Sequence, residues 1–414
     1  MNSTLTHRFE DIFGVPIDDT TVVGLIIASV ISVYVLTSRL KSPSSAKQPR
    51  QSTTTTAKTS SSFYDKSTTP KKMELTPLTD FEWDKADAIK SMPFKNAPYK
   101  LTMGIKNLDP QDWLLIEPTY KSRIETKVKI INNKHPDYPV TKDLRSSTIF
   151  ATPEASAAIV EFYDTVMSYM SAKYPTCFHL DSASNQIHNM ITSKSYPARG
   201  TGVDPTRLEE YLAETIEEDF IILLKDPTRN HEEDGTEYFF KAGVFAFAAG
   251  FNPGDRFNKP LSFIHHPIPN YTAKLKTSMN RFFNRISPGQ FVTRSNWSMQ
   301  THAKLYVDDE NKGHNLPRGH VQRATPFEEM DFKAMHYRSE RQVLTKLERS
   351  QAVVFTIHTY LVPLSQVREE GKEVCQRLIG AIRGFPPEIS QYKRADEWGP
   401  AVMQYLSQNP ESFS

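Results

Sequence analysis

Pro260-Leu261-Ser262-Phe263-Ile264-His265-His266-Pro267-Ile268-Pro269-Asn270-Tyr271 is the stretch on which the reading of this chain turns. Pro267 and Pro269 fix their own φ at about −65° and bias the residues before them towards extended geometry. The expectation is a histidine held on a stiff backbone among aromatic and apolar neighbours, a setting that suits an axial ligand to a haem or a metal. Downstream come Asn280-Arg281-Phe282-Phe283-Asn284-Arg285 and then Arg294-Ser295-Asn296-Trp297-Ser298. In an extended segment Arg294 and Asn296 share one face and Trp297 takes the other.

Further blocks lie on either side. Pro93-Phe94-Lys95-Asn96-Ala97-Pro98-Tyr99 leads through Met103-Gly104-Ile105-Lys106 to Leu108-Asp109-Pro110-Gln111-Asp112-Trp113. Glu218-Asp219-Phe220 opens an apolar run. Arg338-Ser339-Glu340-Arg341-Gln342-Val343-Leu344 precedes Phe355-Thr356-Ile357-His358-Thr359-Tyr360.

Taken together, these blocks resemble the alpha subunit of haem-dependent oxidative N-demethylase and its relatives, in family order over about residues 90 to 365. The register places His265, not His266, on the family's histidine, with His266 as the fallback ligand. The resemblance implies a PAS-like α+β fold, a haem b cofactor and oxidative demethylation of a small amine or related small molecule, with release of formaldehyde. It also implies electrons from a separate reductase that uses flavin and an iron–sulfur centre, since this chain shows no such modules. Two departures bear on substrate choice: Ala248-Ala249-Gly250-Phe251 stands where the family often has Pro-Ser-Gly-Trp, and Leu347-Glu348 where it has Leu-Pro.

Each candidate site residue carries two readings. His265 either places a neutral imidazole nitrogen on iron or hydrogen-bonds a backbone carbonyl as a structural residue. Arg294, with Asn296 and Arg341 as further cofactor-binding candidates, either pairs a haem propionate or forms a buried salt bridge with Glu340. Tyr271 and Glu340 are the catalytic candidates. Tyr271 either donates to bound oxygen or substrate or is a core tyrosine. Glu340 and Arg341 are expected to be adjacent on a helix, where they cannot face each other.

Composition sets the outer bounds. The 414 residues carry 50 Lys plus Arg against 48 Asp plus Glu, a net charge of +2. That balance lacks the concentrated basic stripe of a nucleic-acid binder. The two cysteines, Cys177 and Cys375, are far apart and show no CxxC spacing, so neither a disulfide framework nor a zinc site is expected. Gly200-Thr201-Gly202 lacks a third glycine and a preceding strand, so it is not a dinucleotide fingerprint.

Residues 20–38 form an uncharged run long enough, at roughly 28 Å as a helix, to cross a bilayer. Arg8 alone precedes it, whereas Arg39, Lys41, Lys47, Arg50 and Lys58 follow. The positive-inside bias then gives a lumenal residue 1–19 segment, a 20–38 anchor and a cytosolic remainder. The endoplasmic reticulum is the expected membrane, with the outer mitochondrial membrane as the alternative. Residues 39–72 read as a Ser/Thr-rich tether, with 15 serines and threonines between 42 and 72. Residues 73–414 read as one mixed domain.

Within that domain, helices are expected from Thr152-Pro153 and from Asp204-Pro205, the first with Ile159, Phe162, Tyr163, Val166, Met167 and Met170 on its apolar face. Acids Glu209, Glu210, Glu214, Glu217 and Glu218 read as a solvated face. Residues 220–224 and 238–247 form a hairpin with a long connection, 352–360 another strand, and 365–383 a C-terminal helix stopped by Gly384. Strands interleaved with helices in this order suggest an antiparallel sheet with helices packed on it.

Overall fold

The computed structural model describes residues 73–408 apart from 140 and 318. The expected lumenal segment, the 20–38 anchor and the tether therefore lie outside the described residues. Among the described residues no helix is long and apolar enough to cross a membrane.

In chain order the elements are β1 (Lys106–Asn107), α1 (Tyr120–Ile131), β2 (Ile149–Ala151), α2 (Ser156–Lys173), β3 (Phe178–Asp181), β4 (Gln186–Asn189), β5 (Lys194–Pro197), α3 (Pro205–Ala213), β6 (Asp219–Lys225) and β7 (Tyr238–Val244). Then follow α4 (Leu261–His265), α5 (Tyr271–Lys274), α6 (Lys276–Arg285), β8 (Phe291–Gln300), β9 (His336–Lys346), β10 (Val353–Pro363), α7 (Leu364–Glu369), α8 (Lys372–Arg383), α9 (Pro387–Tyr392) and α10 (Ala395–Ser407). Seven strands make one sheet in the order β1-β8-β9-β10-β6-β7-β2, and β3-β4-β5 make a second, small one. Every pairing between named strands is antiparallel. The expected α+β class, with helices packed on a large antiparallel sheet, is what the chain adopts.

Strand alternation decides which residues meet which layer. On β10, Val354 and Thr356 face α1–α3, where Trp113 Nε1 donates to Thr356 Oγ1 (3.2 Å) among the buried rings of Phe162, Tyr169 and Phe220. Val353 and Phe355 face the opposite side, where α4–α6 pack through Leu261, Leu275, Met279 and Phe283. A third apolar cluster ties α7, α8 and α10 to Met299 and Tyr337 at one end of the sheet, and it includes Cys375 as a small core residue.

The helix starts read from sequence appear where expected. Asp204 accepts from the Arg207 N–H (3.2 Å) with Pro205 at the first turn of α3. Pro153 opens a short 3-10 turn that runs into α2, which buries all six residues of the expected apolar face. β6 and β7 pair from Phe220–Val244 to Lys225–Tyr238, the expected hairpin.

Three local expectations are corrected. Residues 338–344 are not helical but the middle of β9, paired with β8 on one side and β10 on the other; two-sided pairing outweighs the helix propensity of Glu-Arg-Gln. The C-terminal helix is two helices, α7 and α8, separated by Gly371 at φ +103°, a conformation an α-helix cannot continue through. Finally, the acids around α3 are not a solvated face: Glu209, Glu217 and Glu218 are buried. Burial pushes the Glu209 carboxyl well above its ordinary range.

Candidate functional site

A cavity lies between the α4–α6 face of the large sheet and those helices, and is completed by residues 312–314 and by α9. Ile221, Leu223, Phe240, Leu344, Phe355 and Ile357 supply its sheet wall. Leu261, Ile264, Ile268, Leu275, Met279 and Phe283 face them from the helices. One end is polar, formed by Arg294, Asn296, Lys312, Glu340, Gln342 and Lys393, with His314 and Tyr392 stacked beside it (centroids 5.6 Å apart, 14° between planes).

His265 lines the apolar part. It sits at the end of α4, not on extended backbone. His266 is right-handed helical (φ −48°, ψ −40°) despite the pre-proline preference, so Pro267 and Pro269 end the helix instead of stretching the histidine. The helical setting brings the Leu261 carbonyl, one turn earlier, to 2.8 Å from His265 Nδ1. A carbonyl only accepts, so Nδ1 carries the proton and Nε2 keeps its lone pair. Burial, reinforced by the Arg294 and Arg256 charges, pushes the imidazole down to about 4 and keeps it neutral near pH 7. A neutral histidine with one nitrogen donating to a carbonyl is the arrangement of a metal-ligating imidazole.

Two further contacts hold that helix. Tyr271 stacks under the His265 ring (5.3 Å, 17°), and its hydroxyl reaches Met279 Sδ at 3.6 Å. Glu237, on the loop before β7 and buried, accepts from Ser262 N (2.7 Å), Ser262 Oγ (2.6 Å) and Asn280 Nδ2 (2.5 Å). The carboxylate thus caps α4, whose own N-cap position is a proline without a side-chain acceptor. Glu237→Ala is expected to destabilise the fold by about 2–4 kcal/mol, because three donors lose one charged acceptor. Urea unfolding at pH 7 checks this; a shift below about 0.5 kcal/mol, the range of an ordinary surface change, would contradict it.

At the polar end, Arg294 and Asn296 on β8 both reach the cavity, while Trp297 packs away from it against Phe385 (5.3 Å). Asn296 is paired across the strands with Glu340 and Arg294 with Gln342. Glu340 accepts from Gln342 Nε2 (2.9 Å) and Asn296 Nδ2 (3.5 Å), and its ion pair is with Arg338 Nε (3.6 Å). The Arg294–Glu340 salt bridge held open by the sequence is not among the ion pairs formed. Arg294 Nε is instead buried without a hydrogen-bond partner.

Against this geometry, a family model described as "Haem-dependent oxidative N-demethylase, alpha subunit-like" matches residues 104–403, well over half of the chain. The chain belongs to this family. The matched span runs from Gly104 to Met403 and so takes in His265 and nearly all of the cavity wall.

Of the sequence candidates, His265, Arg294, Asn296 and Glu340 come together at one cavity. Tyr271 does not line it; its hydroxyl is turned to Met279 Sδ. Arg341 faces the opposite side of the sheet, where its guanidinium donates to the Trp113 carbonyl (3.0 Å) and to that of Asp112, so it is placed away from the cavity. Sequence reasoning missed Lys312 and Lys393. It also missed a buried cluster beyond the sheet: His358 Nδ1 lies 3.1 Å from Glu218 Oε1, and its Nε2 lies 3.5 Å from Glu217 and 3.6 Å from Glu117. A histidine followed two residues later by a tyrosine, opposite paired acids, was the one available signal.

Proposed function

We propose that this chain is a haem-dependent oxidoreductase that removes an N-methyl group from a small amine or related small molecule, on a PAS-like sheet, with electrons from a separate reductase. The observation that carries the reading is His265: its Nδ1–H is spent on the Leu261 carbonyl and its Nε2 is free at an apolar cavity.

The residues present fit a haem b. His265 would hold the iron, the paired apolar walls would cover a flat ring, and Arg294, buried and unpartnered at Nε, would meet a propionate. Bound haem would supply the oxidising chemistry, activating oxygen to take hydrogen from an N-methyl carbon. The chain's own part is positional. Glu237 and Tyr271 fix the plane of His265, the apolar walls exclude water, and Glu340 with Asn296 gives the cavity a polar edge to orient the bound molecule.

Residues 20–38 support a tether to the endoplasmic reticulum membrane, which would concentrate the domain beside a membrane-bound reductase. The sequence departure at Ala248-Ala249-Gly250-Phe251 falls partly on the cavity wall, through Ala249 and Phe251, and supports a substrate preference of this chain's own.

The test is turnover by the full-length chain loaded with haem and given a chemical reductant. Dimethylamine should raise oxygen uptake and release formaldehyde in proportion. Oxygen uptake that does not respond to any N-methylamine, with no formaldehyde, would leave a haem-binding sensor on the same scaffold and sink the enzymatic reading.

A further inference from the structure

The geometry points to a carboxylate-binding site at the polar end of the cavity, in which Lys312, Lys393 and Arg294 together receive two carboxylate groups of the bound molecule. This rests on the haem reading above and assigns the residues that hold the ligand's acidic end.

Lys312 is only 7% exposed, lines the cavity, and its Nζ makes no hydrogen bond among the described residues. Its Nζ lies over the Tyr392 ring, 5.5 Å from the centroid. Lys393 is 6% exposed and donates once, to the Trp297 carbonyl at 2.6 Å, leaving two ammonium protons unspent. Arg294 contributes a buried, unpartnered Nε. One carboxylate faces these three cations, and Glu340 is already engaged by Arg338, Gln342 and Asn296.

Buried cations without counter-charge are costly, so an arriving anion stabilises an arrangement of this kind. The cost is visible in the lysines themselves. Burial first, and then the Lys312 and Arg294 charges, push Lys393 down to about 7. The placement is also built into the backbone. Gly250 sits at φ +88°, and a Cβ there would come within 2.6 Å of Lys312 Cγ and 2.2 Å of the Glu310 carbonyl. Only glycine lets the lysine's segment lie this close.

The two carboxylates have two sources: the propionates of a haem, or the acid group of a small substrate beside one propionate. Haem and its dimethyl ester distinguish them, titrated into the full chain and into Lys312→Met and Lys393→Met variants. Methionine keeps the apolar stem, so folding is preserved, and unchanged thermal midpoints verify it.

If the propionates are bound, wild type takes haem roughly tenfold or more tighter than the ester. Each variant then loses most of that preference while its affinity for the ester stays put. If a substrate acid is bound beside one propionate, the preference for haem over ester falls below tenfold, but N-methylglycine shifts the haem spectrum at far lower concentration than dimethylamine does, and the variants lose that difference. The site is overturned if wild type shows neither preference, or if either preference survives both substitutions. No uptake of haem or ester by wild type is a separate result: it defeats the haem function and this inference with it.

Discussion

His358→Leu is expected to destabilise the protein by about 3–5 kcal/mol, the usual cost of removing one partner from a buried charge cluster. His358 is 1% exposed and touches three carboxylates, of Glu117, Glu217 and Glu218, each nearly as buried. Burial opposes its charge, but the Glu217 carboxylate, the Glu117 carboxylate beside Nε2 and the hydrogen bond that Nδ1 donates to Glu218 prevail and hold its pKa up at about 10. Without it, Glu217 keeps Arg123 at 3.9 Å, while Lys127 is spent on Asp219 (3.4 Å) and on the carbonyls of Ile216, Glu217 and Glu218.

The pH dependence has a definite sign. A histidine whose folded pKa lies above its unfolded value of about 6.5 contributes fully below that value, and the contribution is lost as pH rises through about 10. Wild-type stability should therefore fall between pH 7 and 10, and the leucine variant should lack that part of the slope. Urea unfolding at both pH values reads the effect. Equal losses in wild type and variant would show that His358 is neutral in the fold.

The second large effect concerns the cavity. His265→Ala should weaken haem binding by roughly 100-fold or more, since ligation, unlike the apolar walls, depends on one nitrogen. Free imidazole should restore much of the affinity by filling the space the ring vacates over Tyr271. The stack and the Leu261 hydrogen bond are both local to α4, so the fold should change little beyond that helix. An alanine variant that binds haem as tightly as wild type would assign the iron to another residue, with His266 next to be tested.

Much of this site was legible in the sequence, and what was missed shares a cause. The period of two along β8 puts Arg294 and Asn296 on one face, and they do line the cavity. The histidine stands out because prolines punctuate its surroundings. Its helical turn does not, because the pre-proline preference argues for extension and is overridden by Pro260 and by Glu237 from a strand junction 25 residues earlier. Lys312 and Lys393 come from a connecting segment and a helix junction. Nothing local marks them, and only tertiary packing through Gly250 and Trp297 brings them to the cavity. Glu217 and Glu218 looked like the solvated end of a helix, because the partner that buries them, His358, lies 140 residues away from Glu218. Long-range charge pairing leaves no periodic trace, and neither does the two-sided strand pairing that turns the helix-like Glu340 segment into an interior strand.

The most direct measurement is an absorption titration of the full-length wild-type chain with haem. Uptake through His265 predicts a Soret band that grows to saturation at one haem per chain, shifts on reduction, and is absent from the His265→Ala variant under the same conditions. A spectrum that remains that of free haem at every ratio would contradict it, and would leave the cavity, with its bare imidazole and its unpaired cations, to a different ligand.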